Sequence, residues 1–228
     1  MVNEIFYSIQ GEGTWAGLPC VFVRLTGCHL RCRYCDTEYA FHEGRRWGID
    51  EIVAEGDRLC AGGCLLWEVT GGEPLLQPAV HELMGRLADR GRTVLLETSG
   101  ACDIAACDPR VIRIMDLKTP DSGEEERNRW SNIEHLRPED EVKFVLCSQR
   151  DYEWARGVIR RHQLPQRVRA VLLSAAAPMA RGKEIAGLEK GVELCELARW
   201  MLADHWPAKV RMQTQLHKLI WPAEMRGV

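Results

Sequence analysis

Three cysteines in the run Cys28-His29-Leu30-Arg31-Cys32-Arg33-Tyr34-Cys35, spaced C-x3-C-x2-C, constrain this chain more than any other feature. The next cysteine is Cys60, so the loop offers three thiolates and no fourth. Electron-transfer clusters normally take four cysteine ligands. A cubane iron–sulfur cluster held at three corners keeps one iron free to bind something else. The alternative is a structural zinc knuckle, which takes four Cys or His ligands. His29 would have to be the fourth, and it directly follows Cys28, a poor arrangement for a tetrahedral site. The loop comes straight after the apolar run 20–25, which reads as a first strand. The candidate site then lies at the carboxyl end of a strand, where α/β folds carry their active sites.

With 228 residues and 46% apolar content, the chain can bury one full core. It shows no Pro/Gly/Ser-rich linker, repeat or composition break, so residues 1–228 read as a single domain. The net charge is −3 with no basic cluster, which argues for a small-molecule substrate and against nucleic acid. Glu4 interrupts the start before any apolar h-region, and the longest apolar stretch, around 170–180, is too short for a bilayer. No membrane association is expected. Ten cysteines without an export signal point to metal binding in a reducing compartment, the cytoplasm. Cys20, Cys147 and Cys195 fall in strand or helix patterns and are predicted to be packed thiols. Cys60, Cys64, Cys102 and Cys107 are irregularly spaced. Cys64 and Cys107 both precede strands and are the candidates for a second, structural metal.

Short aliphatic or β-branched runs recur at 21–25, 65–70, 93–97, 111–117, 142–147 and 168–173, with a last one at 209–213. Helix-length amphipathic segments lie at 77–90, 151–162 and 188–205. Alternation of this kind implies a parallel sheet with helical crossovers. The interval 93–111 is too short for a strand plus a full crossover helix. Helices are therefore fewer than strands. The fold class is α/β, a partial (β/α)6-type barrel, and a complete eight-fold barrel does not fit.

Several strand ends carry unusual chemistry. Thr70-Gly71-Gly72-Glu73-Pro74 closes one strand and opens a helix, with glycines that allow close backbone approach. Another strand ends Glu97-Thr98-Ser99-Gly100, and the next ends Asp116-Leu117-Lys118. Asp116 and Lys118 share a face with Ile112 and Ile114, where charges need a partner or a ligand. Arg24 alternates with Cys20 and Phe22 inside an otherwise buried run; it either meets an anion or reaches solvent at the strand end. Lys143, in phase with Val145, lines the same interior or sits at the strand edge.

The C-x3-C-x2-C loop, with Tyr34 before its last cysteine, resembles the radical S-adenosylmethionine (SAM) enzymes. The resemblance narrows when the end segments are added: Ile9-Gln10-Gly11-Glu12-Gly13, Cys35-Asp36-Thr37, Thr70 to Pro74, and Gln215-Leu216-His217-Lys218 followed by Trp221-Pro222. Together these resemble the 7-carboxy-7-deazaguanine synthase family over nearly the whole chain. That likeness implies a [4Fe-4S] cluster on Cys28, Cys32 and Cys35, SAM as a cofactor, and Mg2+ held by Thr37. It implies a pterin substrate, 6-carboxy-5,6,7,8-tetrahydropterin, met by Ile9, Gln10, Gly11, Glu12, Arg24, Thr70, His217 and Pro222. Tyr34, Cys35, Asp36, Gly72, Glu73, Ser99, Asp116, Lys118 and Ser174 would contact SAM. The chain departs from the family's more polar turn at Ser174-Ala175-Ala176-Ala177-Pro178, so Ser174 is the weakest of these assignments. The likeness also implies a homodimer and a reductase or flavodoxin-type electron donor. A glycyl-radical-enzyme activase shares the cysteine loop but would not need the two end segments. A non-catalytic metal or redox module would leave Thr70 to Pro74, Arg24 and Thr37 unexplained.

Overall fold

The computed structural model describes residues 1–176, 191–222 and 225–228. Strands β1 (Val2–Ile9), β2 (Pro19–Leu25), β3 (Leu66–Gly71), β4 (Thr93–Thr98), β5 (Ile112–Asp116), β6 (Glu141–Leu146), β7 (Ala170–Ala175) and β8 (Val210–Gln213) form one sheet in sequence order. β2 to β8 are parallel, and β1 lies antiparallel to β2. The sheet is not closed, so the architecture is a partial barrel, as the strand and helix lengths imply. The cysteine loop follows the second strand of this sheet, not the first: β1 is an additional strand.

Helices α1 (Ile49–Leu59), α2 (Ala79–Asp89), α3 (Gln149–Arg161), α4 (Leu164–Arg167), α5 (Leu194–Ala203) and α6 (His217–Ile220) accompany these strands among the described residues. The segment 188–205 yields α5, and its residues 188–190 lie outside the described residues. As its length dictates, the β4–β5 connection holds no helix. α3 starts where Ser148 Oγ accepts from Asp151 N at 3.2 Å, an N-cap that satisfies one orphan donor. It then buries Tyr152, Ala155, Val158 and Ile159 at helical spacing.

Strand residues alternate between two very different faces. One face carries Val21, Val23, Trp67, Val69, Val94, Leu96, Phe144 and Leu173, all buried in the hydrophobic core. Val80, Leu83, Met84 and Leu87 of α2 join the same core. Each such side chain removed from water contributes roughly 1.5–3 kcal/mol. The other face, one residue out of phase, presents Arg24, Glu68, Thr70, Glu97, Asp116 and Lys143 to the barrel interior. Among the described residues, no helix is long and apolar enough to cross a membrane.

The other cysteines separate by position. Cys64 Sγ donates to the Pro19 and Leu66 carbonyls, at 3.3 and 3.2 Å, and Cys20, Cys107 and Cys147 are buried. Cys195 corrects its expectation of a packed thiol: as the second residue of α5 it is exposed.

Candidate active site

The turn after β3 presses directly on the cysteine loop. Gly72 N donates to Leu25 O at 3.3 Å and Glu73 N to Gly27 O at 2.8 Å. A Cβ on Gly72 would stand 2.2 Å from Gly27 O and 2.7 Å from the Cys28 Cβ. Only glycine permits that contact, so this turn sets the position of the thiols. The loop's far side is held by Arg31 N on Glu124 Oε1 at 2.6 Å and Arg33 N on Ser122 O at 3.0 Å.

Cys28, Cys32 and Cys35 all line a cavity of about 520 Å³, within the range of ordinary ligand sites. Burial pushes the Cys32 thiol up to about 11 against the pull of Lys118, and Asp116, Cys35 and Cys28 add to the rise. The thiols would give up their protons to bind iron. Among the described residues, no three His, Cys, Asp or Glu side chains converge as on a single metal ion. Two polar atoms on residues of the cavity wall, Tyr34 Oη and Asp116 Oδ1, are buried with no hydrogen-bond partner among the described residues. Lys118 Nζ pairs with Asp116 Oδ2 at 2.7 Å and lies 5.8 Å from the Tyr34 ring centroid.

The cavity floor is built by both end segments. Leu216 N donates to Gly11 O at 3.0 Å, and a Cβ on Gly11 would come within 2.4 Å of His217 Nδ1. Glu12 is clamped on both oxygens: Gln215 Nε2 donates to Oε1 at 2.8 Å, while Lys143 Nζ and Gln213 Nε2 donate to Oε2 at 2.9 and 3.1 Å. Burial opposes its charge, but Lys143 and Gln215 hold its carboxyl at about 2. Lys143 also donates to Glu97 Oε2 at 2.9 Å. Among the described residues Glu68 receives the Gln10 side-chain amide and no cation; burial, with Glu12 adding to it, pushes its carboxyl up to about 7. Burial likewise raises Glu97 well above the carboxylate range despite Lys143.

At the rim, Arg24 Nε donates to Glu4 Oε1 at 2.7 Å, and Tyr39 Oη donates to the same oxygen at 2.9 Å. Arg24 therefore has a structural carboxylate and still lines the cavity. Thr37 Oγ1 donates to Asp36 Oδ1 at 2.7 Å, and Lys218 of α6 reaches Asp36 Oδ2 at 2.5 Å.

Residues 22–116 match the radical SAM superfamily. The whole chain is 44% identical to the 7-carboxy-7-deazaguanine synthase of Koribacter versatilis, with 100% of this chain and 99% of that one aligned. It is also 44% identical to the 7-carboxy-7-deazaguanine synthase of Chlorobaculum tepidum, over 100% and 96%. The chain belongs to the 7-carboxy-7-deazaguanine synthase family. The crystal structure of QueE from Escherichia coli superposes with a TM-score of 0.63 over 93% of each chain at 22% identity, which shows the shared fold. Membership makes the chain a radical SAM enzyme and implies a [4Fe-4S] cluster and SAM. The donor set fits that group: three free thiols on one cavity wall, with unpartnered polar atoms among the residues lining it.

Most residues read from sequence by family resemblance meet at this cavity. Gln10, Glu12, Arg24, Thr70, His217 and Pro222 line it, as do Tyr34, Asp36, Thr37, Gly72, Ser99, Asp116 and Lys118. Four do not. Ile9 ends β1 opposite Pro19, and Gly11 is packed under His217. The Glu73 carboxylate is buried behind the wall, accepting from Ser99 N at 2.8 Å and Thr98 Oγ1 at 3.0 Å. Ser174 is buried on β7, and part of the turn that follows lies outside the described residues. Glu68 lines the cavity without having been singled out, and Glu97 and Gln215, quoted in motifs but given no role, line it too. For the two acids the signal was available, since a charge inside a buried strand run is the same argument that exposed Arg24.

Proposed function

We propose that this chain converts 6-carboxy-5,6,7,8-tetrahydropterin to 7-carboxy-7-deazaguanine with loss of ammonia, in 7-deazapurine or queuosine biosynthesis. The observation that carries the reading is the junction of Gly11 and Glu12 with Leu216 and Gln215, which turns an open barrel into a floored cavity of small-molecule size. Membership in the family supports it. An activase acting on a protein backbone has no use for such a floor.

In this reading Cys28, Cys32 and Cys35 hold the cluster, and Gly72, Tyr34, Ser99, Asp116 and Lys118 hold SAM. Bound there, the pair supplies one-electron chemistry, hydrogen-atom abstraction from a substrate carbon. The terminal nitrogens of Arg24 make no hydrogen bond among the described residues and match a substrate carboxylate in bidentate fashion. Thr37 offers one hydroxyl oxygen to Mg2+, an ion that keeps most of its waters and binds through few protein oxygens. Burial keeps the His217 imidazole below its usual value despite Glu12, so it is neutral at pH 7 and can accept a proton or a hydrogen bond. Trp221, Pro222 and Met225 line the mouth and exclude water. Residues 1–228 act as a single domain, supported by one sheet running from Val2 to Gln213. A flavodoxin-type reductant, a homodimer and a cytoplasmic location complete the proposal.

The test is anaerobic reconstitution with iron and sulfide, reduction, and addition of SAM, Mg2+ and the tetrahydropterin, with product followed by mass spectrometry. Deazaguanine acid is expected from the wild type, and none from Cys32→Ala. SAM cleavage with the pterin untouched would overturn the substrate assignment.

A further inference from the structure

Glu68 has no assigned task. It stands on the inner face of β3, two residues deeper than Thr70, and is 4% exposed. Its register neighbour on β2 is Phe22, and both side chains line the cavity. A carboxylate in the middle of a strand is expensive to bury without a partner. The other interior acids have theirs: Glu12 is filled on both oxygens, Glu97 is held by Lys143 and Asp116 by Lys118. Among the described residues, Glu68 has only the Gln10 amide on Oε2. Its Oε1 makes no hydrogen bond and has no cation at ion-pair distance among the described residues, and it opens on the cavity.

The aminopyrimidinone ring of a pterin carries two N–H donors side by side, N3–H and the 2-amino group. A carboxylate is the matching pair of acceptors, with lone pairs to spare for Gln10. We propose that Glu68 is the residue that reads this edge, its carboxylate accepting from N3–H and from the 2-amino group on the cavity floor. The inference rests on the substrate class proposed above and makes Glu68 a specificity-determining residue. The charged and titratable groups around it are Glu12 from the N-terminal loop, Cys20 and Arg24 from β2, Glu97 from β4 and Lys143 from β6. Of the acids among them, Glu12 and Glu97 are both engaged by Lys143.

The experiment compares equilibrium binding of 6-carboxypterin and 6-carboxylumazine to the reconstituted, SAM-loaded enzyme by anaerobic titration calorimetry. In the lumazine a carbonyl replaces the 2-amino group and would face the carboxylate. The wild type is expected to prefer the pterin by about 10- to 100-fold, the range for a hydrogen bond to a charged group. Glu68→Gln, near-isosteric, should shrink that preference below about threefold. Glu68→Asp should keep it at reduced affinity. A wild type without preference, or a Glu68→Gln variant that keeps it, while product still forms from the tetrahydropterin, overturns the role of Glu68 and leaves the reaction intact. If the wild type neither binds the pterin nor yields product, the substrate reading falls and this inference with it.

Discussion

Two buried charge clusters sit on opposite faces of the same sheet, and they are finished to different degrees. On the outer side, Arg113 of β5 and Asp140 are 3% and 0% exposed and form a closed set. Asp140 also accepts from the backbone N–H groups of Arg113 and Arg137, at 2.9 and 2.8 Å. Arg113 further donates to the Ile104 and His135 carbonyls at 3.2 and 2.5 Å. On the inner side, Glu12, Glu68, Glu97 and Asp116 share Lys143 and Lys118, and Glu68 is left with an amide. A complete cluster fixes the sheet and has nothing to offer a ligand. An incomplete one is less stable alone and is finished by what it binds.

The comparison breaks if the outer cluster proves dispensable. Asp140→Ala leaves Arg113 buried without its anion and should cost about 3–5 kcal/mol. At roughly 2–4 °C per kcal/mol for a chain of this size, thermal denaturation should show a fall of about 10 °C, with activity of the folded fraction at low temperature little changed.

The inner cluster should respond in the other direction. The Glu68 carboxyl lies at about 7 in the folded chain against 4.5 ordinarily. Below pH 4.5 it is neutral in both states. From 4.5 to 7 the unfolded chain loses the proton first, so folding stability declines as pH rises, by about 3 kcal/mol at pH 8. Glu68→Gln should therefore stabilise the ligand-free protein by up to about 3 kcal/mol at pH 8 and by nothing near pH 4.5, as read from urea melts at both pH values. No stabilisation at pH 8 would mean that the floor is already satisfied.

Lys143→Met sharpens the contrast. Its carboxylates escape by taking up protons, an option Arg113 lacks, so the loss should be about 2 kcal/mol at pH 8 and smaller at pH 5. Denaturant melts across that range test this. Lys218→Ala removes a pair with the half-exposed Asp36. It should cost under about 1 kcal/mol and fade with added salt, with at most a few-fold rise in KM.

What sequence could show depended on whether a position announced its burial. The seven strands β2 to β8 were legible because most of their outer-face residues are apolar, Val21, Val23 and Val69 among them. β1 was passed over because its run, VNEIFYSI, mixes polar residues on both faces and only Val2 and Phe6 are buried. α1 failed for a steric reason. Its third inward position, after Ile52 and Val53, is Gly56, where a Cβ would stand 2.0 Å from the Trp67 indole. The tryptophan supplies the bulk, so the helix's own sequence does not show it. The cysteine loop and the end motifs announced the site. The role of the Glu73 carboxylate did not show, because its partners Thr98 and Ser99 come from the next strand.

The stitching of Gly11 to Leu216 has a kinetic consequence. Every strand pairs with its neighbour in sequence, so the sheet can zip from contacts that are local along the chain. The cavity floor instead closes a loop of about two hundred residues, whose entropy must be met before Glu12 finds Gln215. The sheet should thus form well ahead of ligand competence. In a refolding experiment, intrinsic fluorescence should recover first and pterin binding only in a slower, later phase.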